Sequence, residues 1–231
     1  MKRLLLWDID GTLILGGGVG SSALYEAVAT AVGRPISGVV AMHGKTDQQI
    51  FTEMLLGAGV TDEDFPDMLT VAMLEAERIM ARSEADLRQR GELTSGVTTA
   101  LGRLALIPDV RQTLVTGNLA GNAAVKLAAF DLTDYFDLEI GAYGTDHADR
   151  NELVPIALER VARLRGEHYQ PEDVWVIGDT PNDLACARAA GVRCLLVATG
   201  QIPLTDLRAL DAEVVLADLS DTDRVVQILA E

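Results

Sequence analysis

Short apolar runs, most of them followed directly by Asp, Thr or Gly, recur along this 231-residue chain. Runs of this length without polar alternation are typical of strands buried on both faces of a sheet. Helical periodicity fills the spaces between them, and strand alternating with helix predicts a parallel, doubly wound α/β fold. The predicted strands are Leu4–Trp7, Thr113–Val115, Val174–Ile177, Cys194–Ala198 and Val214–Leu216; the predicted helices are Leu119–Phe130, Leu153–Leu164, Leu184–Ala190 and Thr222–Leu229.

The stretch from Gly16 to Gly91 breaks this alternation. It shows no convincing strand pattern, and a run of three glycines opens it. Helical periodicity appears instead in Ser22–Val32, Asp47–Leu56 and Thr61–Arg88. We therefore predict a helical cap domain, residues 16–91, inserted into an α/β core made of residues 1–15 and 92–231.

The charge balance limits the partners. The chain has 35 acidic and 19 basic residues and a formal net charge of −16. Nucleic acids and anionic membranes bind basic surfaces, so neither is expected as a partner. No apolar stretch approaches the ~18 residues of a membrane span, and the two cysteines form no disulfide or zinc pattern. We expect a soluble cytoplasmic protein, monomeric or homodimeric.

Carboxylates follow two of the predicted strands. Asp8 and Asp10 come after the first, and Asp179 and Asp183 come after the third. Ligands of an open parallel sheet bind beyond the carboxyl ends of its strands, so these groups should meet at one edge. Carboxylates that close repel one another unless a cation lies between them. Oxygen ligands with little Cys or His nearby indicate Mg²⁺.

The second strand is followed by groups suited to an anion. Thr116 offers a hydroxyl, and Gly117 lets its backbone N–H approach a ligand closely. The helix predicted to begin at Leu119 has an N-terminus expected to favour phosphate. Carboxylates, one metal ion and an anion-binding loop together indicate phosphoryl transfer.

These segments resemble a known family. Asp8-Ile9-Asp10-Gly11-Thr12 resembles the first motif, DxDGT, of the haloacid dehalogenase-like superfamily. Leu114-Val115-Thr116-Gly117-Asn118 is similar to its second motif, and Gly178-Asp179-Thr180-Pro181-Asn182-Asp183 to its fourth. The helical insertion resembles the cap of the phosphoglycolate-phosphatase-like subgroup. The motifs stand in the family's order, and the resemblance covers the whole chain.

The resemblance implies a role for each motif residue. Asp8 would be the nucleophile that accepts the phosphoryl group as an aspartyl-phosphate. Asp10 would be the general acid for the leaving group and then the base for water. Asp8, the backbone carbonyl of Asp10 and Asp179 would bind Mg²⁺, with Asp183 as a further ligand or an anchor. The substrate phosphate would be bound by Thr116, Gly117 and Asn118.

The third motif departs from the family's commonest pattern. The family usually places a Lys at the start of the helix before the fourth motif, where this chain has Asp149-Arg150-Asn151. We assign the basic role to Arg150 by position. Lys126 is the rival, but it lies about seven residues into a helix, roughly 10 Å along the axis, and we expect it to reach the site poorly. Lys45, early in the predicted cap, is a candidate substrate contact, with a solvated helix start as the alternative.

The predicted function is Mg²⁺-dependent hydrolysis of a small phosphomonoester through an aspartyl-phosphate, with a small phosphorylated metabolite as the substrate. Two alternatives stay open at this stage. A sugar phosphomutase of the same superfamily would keep Asp10 and shield the aspartyl-phosphate from water. A non-catalytic binding module on this fold is favoured only where Asp8 or Asp10 is lost, and both are present.

Overall fold

The computed structural model describes residues 2–230. Six parallel strands form one sheet: β1 (Arg3–Trp7), β4 (Val110–Thr116), β5 (Ala142–Tyr143), β6 (Val174–Gly178), β7 (Arg193–Val197) and β8 (Val214–Leu216). Their order is β5-β4-β1-β6-β7-β8, so β1 lies inside the sheet between β4 and β6. Two short strands, β2 (Ile14–Leu15) and β3 (Glu92–Leu93), pair separately and antiparallel.

Helices cover both faces of the sheet. Alternate residues of β1 show this: Leu5 and Trp7 belong to the apolar cluster that contains Leu101, on the helix after β3, while Leu4 and Leu6 belong to the one that contains Val154, on the helix after β5. The helices are α1 (Val19–Val32), α2 (Asp47–Gly57), α3 (Phe65–Met80), α4 (Glu84–Arg90), α5 (Val97–Ala105), α6 (Ala120–Ala129), α7 (Leu153–Arg165), α8 (Pro181–Ala190), α9 (Leu204–Arg208) and α10 (Thr222–Ala230). Within residues 2–230, none of them combines the length and apolar character needed to cross a membrane.

The doubly wound α/β fold predicted from the apolar runs is confirmed. All five predicted strands are present, and β4 begins three residues earlier than predicted. Its first residues, Val110–Gln112, include two polar side chains that mask the strand in the sequence, yet they pair in register with Arg3–Leu5 of β1. Strand β5 was not predicted because a two-residue strand leaves no detectable pattern.

Helices α1 to α4 fill the chain between β2 and β3. Residues from α1, α2 and α3 share an apolar cluster of their own that includes Leu24, Phe51 and Ala72. The β2–β3 pair brings the two ends of this helical segment together, with Ile14 opposite Leu93. The boundaries predicted for the cap domain, residues 16–91, stay a prediction.

The prediction of a single helix over Thr61–Arg88 is wrong. Two helices, α3 and α4, replace it, and the break falls at residues 81–83. The Ser83 hydroxyl donates to the carbonyl of Ile79 at 2.9 Å, a local bond that competes with continuation of a helix. The break lets Leu87 of α4 pack against Val19 and Met80 in a separate small cluster.

Candidate active site

The carboxyl end of β1 carries Asp8 and Asp10. Asp8 follows the strand directly, and its N–H donates to Ile177 of β6 at 2.9 Å, so it stays in line with the sheet and is buried. The chain then turns at Gly11, whose φ of +84° lies in the left-handed region. A Cβ on Gly11 would overlap the carboxylate of Asp179, so both the turn and the packing require glycine.

Three buried carboxylates meet beyond the ends of β1 and β6. One oxygen each from Asp8, Asp179 and Asp183 lies within 4.8 Å of the others. Burial, and then the charges of Asp183 and Asp8, raise the pKa of Asp179 to about 8. Burial raises the pKa of Asp8 to about 6, although Arg150 opposes that shift.

The cluster fits a hard divalent cation. Mg²⁺ prefers carboxylate and carbonyl oxygens, and a positive ion among these groups would offset the burial and the mutual repulsion that raise their pKa values. Gly11 and Gly200 both lie so close to the Asp179 carboxylate that a Cβ on either would overlap it, which fixes where this side chain points. Asp8 and Asp179, with the backbone carbonyl of Asp10, are the groups that would hold the ion.

Asp183 has both of its oxygens engaged by protein groups. One accepts from Arg150 at 2.5 Å. The other accepts from the N–H and the hydroxyl of Thr180, at 3.0 and 2.7 Å, in a capping box at the start of α8. Asp183 was considered as a further metal ligand or as an anchor, and the geometry favours the anchor. Its carboxylate fixes Arg150 and the turn that carries Asp179.

Arg150 lies between the acidic groups. Its Nη2 is 3.2 Å from Asp8 Oδ1 and contacts Asp183, and its Nη1 donates to the carbonyl of Gly44 at 3.4 Å. Burial lowers the pKa of this guanidinium, but Asp183 and Asp8 outweigh it and raise the pKa further above its usual value. The residue assigned to the third motif by position therefore contacts the assigned nucleophile as a permanent cation.

Lys126 also reaches the site, and the expectation of poor reach is wrong. Its buried Nζ lies 2.7 and 2.6 Å from the two oxygens of Asp10 and 2.6 Å from Asn118 Oδ1. Partial withdrawal from bulk water would raise the pKa of Asp10, but the Lys126 ammonium and the Asn118 amide outweigh it and lower the pKa. The Asp10 side chain is 48% exposed, and this surface faces the cavity described below.

The loop after β4 is cross-linked to the same groups. Asn118 Nδ2 donates to Thr116 Oγ1 at 2.9 Å and to Asp10 Oδ2 at 2.8 Å. The Thr116 hydroxyl also hydrogen-bonds to Asp8, which lowers the pKa of that carboxyl in part. Thr116 and Asn118 are buried, so the structure brings this loop against both aspartates of the first motif.

The expectation that the N-terminus of the next helix binds phosphate is wrong. The N–H groups of the first two residues of α6, and of the residue before them, already donate hydrogen bonds to side chains from other elements. They are therefore not available to an anion. Their acceptors are Asp47 Oδ2 for Leu119 (2.8 Å), Thr145 Oγ1 for Ala120 (2.9 Å) and Glu77 Oε1 for Gly121 (3.0 Å).

Sequence reasoning missed Asp47 as a site residue. It begins α2, is buried, and its N–H donates to the carbonyl of Gly117 at 2.7 Å. Burial raises the pKa of its carboxyl to about 6, with Lys126 opposing the shift. The sequence indicates only a helix start here, with Thr46 or Asp47 as the N-cap, and in the structure the N-cap is Thr46. Because the partners of Asp47 lie about 70 residues away in the sequence, no local pattern identifies the contact.

A cavity of about 710 Å³ lies between the helical segment and the sheet edge. The core lines one side with acidic and basic groups, Asp8, Asp10, Lys126, Arg150 and Asp179 among them. The helical segment lines the other side, mostly with apolar side chains from α1, α2, α3 and the loop before α2: Leu24, Tyr25, Val39, Val40, Met42, Ile50 and Met80. The carboxylates therefore face a partly open cavity large enough for an organic ligand.

Known proteins are similar to this chain over most of its length. The model of the haloacid dehalogenase-like hydrolases matches residues 2–191. Phosphoglycolate phosphatase 1 of Pseudomonas aeruginosa is 27% identical over 202 residues, 87% of this chain and 71% of that protein. Phosphoglycolate phosphatase of Nitrosospira multiformis is 26% identical over 228 residues, 97% of this chain and 96% of that protein.

A solved structure shows the same fold over the full length. A hydrolase from Pseudomonas syringae superposes with a TM-score of 0.70 at 18% identity and covers 100% of both chains. The family match spans all three motifs quoted above, and the motif side chains converge at one sheet edge. This chain belongs to the haloacid dehalogenase-like hydrolase family.

Proposed function

We propose that this protein is a Mg²⁺-dependent phosphatase that hydrolyses a small phosphomonoester through an aspartyl-phosphate on Asp8. The observation that carries the proposal is the placement of two carboxylates with separate partners at one sheet edge. Asp8 lies with Arg150 and the acidic cluster, and Asp10 lies with Lys126 and Asn118. Such a division suits one group for attack and the other for proton transfer.

In the first step, an Asp8 oxygen forms a bond to phosphorus while the bond from phosphorus to the ester oxygen breaks. Arg150, 3.2 Å from Asp8, is placed to offset the negative charge of the phosphoryl oxygens. Asp10 gives a proton to the departing oxygen and recovers one from water in the second step. Because Lys126 lowers the pKa of Asp10, the first proton is taken up from solvent when the substrate binds. Mg²⁺, held by Asp8, Asp179 and the Asp10 carbonyl, would supply further positive charge beside the phosphate.

In the second step, water attacks phosphorus and the bond between phosphorus and Asp8 breaks. Asp10 accepts the proton of the water, and the lowered pKa that Lys126 and Asn118 produce favours the carboxylate form that this step needs. Inorganic phosphate leaves, and Asp8 returns as a carboxylate. The helical segment, 16–91, would act as the cap that covers the leaving group and limits access of water.

The test is hydrolysis of p-nitrophenyl phosphate with and without Mg²⁺, comparing wild type with Asp8→Asn. An amide cannot form the acyl phosphate, so we expect turnover to fall by far more than tenfold while the fold survives. Asp134→Asn, at an exposed position, is the matched control. Inorganic phosphate released in equal amount to nitrophenol separates hydrolysis from transfer to a second alcohol.

Activity above about a tenth of wild type in Asp8→Asn, a change under ~1.4 kcal/mol in the barrier, would contradict the covalent route. Activity that is unchanged after a chelator removes Mg²⁺ would contradict the assigned metal ion.

A further inference from the structure

The cavity differs sharply between its two sides. The core side carries the charged groups of the proposed chemistry, whereas the side formed by α1, α2, α3 and residues 39–43 is lined mainly by Leu24, Val39, Met42, Ile50 and Met80. A phosphoryl group at Asp8 would place its organic substituent toward this second side. At about 710 Å³, the cavity lies within the range that binds a drug-sized ligand.

The cationic groups around the cavity are already paired. Among the described residues, three Lys and Arg side chains line it. Lys126 contacts both oxygens of Asp10 at 2.6–2.7 Å, and Arg150 contacts Asp8 and Asp183. The third, Lys45, lies 2.6 and 2.7 Å from the two carboxylate oxygens of Glu53. A second anionic group on a substrate would therefore have to break an existing ion pair to contact one of these Lys or Arg side chains.

The hydroxyl of Tyr25, an aromatic residue in the cavity wall, already has hydrogen-bond partners. The Tyr25 hydroxyl donates to the carbonyl of Gly38 and accepts from the N–H of Val40, both at 3.1 Å. These bonds hold the loop before α2 against α1. The Tyr25 side chain therefore lines the cavity with its hydroxyl already bonded to this loop.

From the size, the apolar wall and the paired cations we propose that the substrate is a phosphomonoester of an uncharged organic group with apolar surface, larger than a two-carbon unit. 2-Phosphoglycolate, the substrate in the names of the relatives above, is small and carries a carboxylate, so this cavity fits it poorly. This inference rests on the proposed phosphatase activity and states which class of ester that same site takes.

The experiment compares esters whose leaving groups differ in one property at a time. For charge, 2-phosphoglycolate is compared with its neutral amide, 2-phosphoglycolamide. For size, ethyl phosphate is compared with propyl, butyl and hexyl phosphate, which share a similar leaving-group oxygen. We expect kcat/KM to be higher for the amide than for the acid. It should also rise roughly three- to fourfold per added methylene over the first few, the factor for moving a CH₂ out of water.

A variant tests the role of the paired cations. Glu53→Gln removes the carboxylate that Lys45 contacts and leaves a free ammonium at the cavity wall. The ratio of kcat/KM for 2-phosphoglycolate to that for 2-phosphoglycolamide should then rise about two- to tenfold. Glu84→Gln, which breaks the exposed Glu84–Arg88 pair on α4, is the matched control and should leave the ratio unchanged.

Three results would overturn the inference: wild type that prefers 2-phosphoglycolate to its amide, kcat/KM that does not rise with alkyl length, or a ratio unmoved by Glu53→Gln. Absence of hydrolysis of every ester, p-nitrophenyl phosphate included, in the presence of Mg²⁺ is a different result. It would overturn the proposed phosphatase function itself, and the inference with it.

Discussion

Replacing Asp179 by Asn should stabilise the metal-free protein and remove its response to Mg²⁺. Asp179 is buried beside Asp8 and Asp183, and this environment raises its pKa from 3.8 to about 8. Asn has nearly the same shape and keeps an oxygen that can accept from the Thr12 hydroxyl, which lies 3.3 Å from Asp179 Oδ1. The substitution therefore removes a buried titratable carboxyl without opening a cavity.

The size and sign follow from proton linkage. Because the pKa of Asp179 is higher in the folded state, the folded protein holds a proton that the unfolded chain releases between pH 3.8 and about 8. In this range the free energy of unfolding falls with rising pH by about 1.4 kcal/mol per pH unit for one such group. The resulting decrease in the free energy of unfolding is absent below pH 3.8 and fully present above pH 8. At pH 7 it is on the order of 4 kcal/mol. Asn cannot titrate, so in Asp179→Asn this contribution to the pH dependence of the free energy of unfolding is absent.

Urea unfolding in a chelator, from pH 5 to pH 8, measures the effect. The difference in unfolding free energy between Asp179→Asn and wild type should grow by about 1 kcal/mol per pH unit. With Mg²⁺ at about 100 times its dissociation constant, wild type should gain roughly 2.7 kcal/mol and the variant almost nothing. Asp134→Asn controls for the loss of one surface charge. A pH-independent difference, or equal stabilisation of both proteins by Mg²⁺, would refute the role given to Asp179.

Three further predictions concern single groups in the site. Asp10→Asn should give a burst of nitrophenol from p-nitrophenyl phosphate followed by slow turnover, with near-normal Mg²⁺ dependence, because a good leaving group needs no acid but water still needs its base; a raised Mg²⁺ requirement without a burst would make Asp10 a side-chain metal ligand. Arg150→Lys keeps the charge but not contacts with both Asp8 and Asp183, and should lower kcat/KM about 10- to 100-fold in steady-state assays, the loss of one charge-assisted bond. Burial raises the pKa of Asp47 to about 6, so the stability of wild type relative to Asp47→Asn should fall by roughly 2–3 kcal/mol from pH 4 to pH 7 in urea unfolding, and a constant difference would count against the buried ion.

The fold could be predicted because its strands are buried on both faces. β1, β6 and β7 lie between helix layers, so their sequences are apolar runs, apart from Arg3 and Arg193 at the first positions of β1 and β7, that end where the chain reaches the sheet edge. The same rule located the chemistry, since polar residues directly after such runs have to lie at the carboxyl edge. β5 escaped detection because its two residues pair only with Val115 and Thr116 and carry no periodic pattern.

The site could be predicted only as far as its groups follow strands. Asp47 and Glu77 come from α2 and α3 yet cap the start of α6, and no spacing in the sequence links them to it. Their carboxylates take the N–H groups that were expected to bind phosphate. A helix N-terminus read from sequence shows that donors exist, but whether they are free depends on tertiary contacts.

Lys126 shows why distance along a helix axis is a poor measure of reach. The axial estimate placed it roughly 10 Å from the start of α6, but it ignored both the length of the lysine side chain and its direction. Side chains on a helix lean toward the N-terminus, so a long one covers the turn before its own Cα. Lys126 extends in this way to Asn118 and Asp10. The site therefore carries two buried cations, each beside a different aspartate of the first motif. Arg150 and Lys126, the two candidates for the basic role of the third motif, therefore both lie in the site. Arg150 contacts Asp8 and Lys126 contacts Asp10, so we expect the loss of each to impair a different step of the reaction.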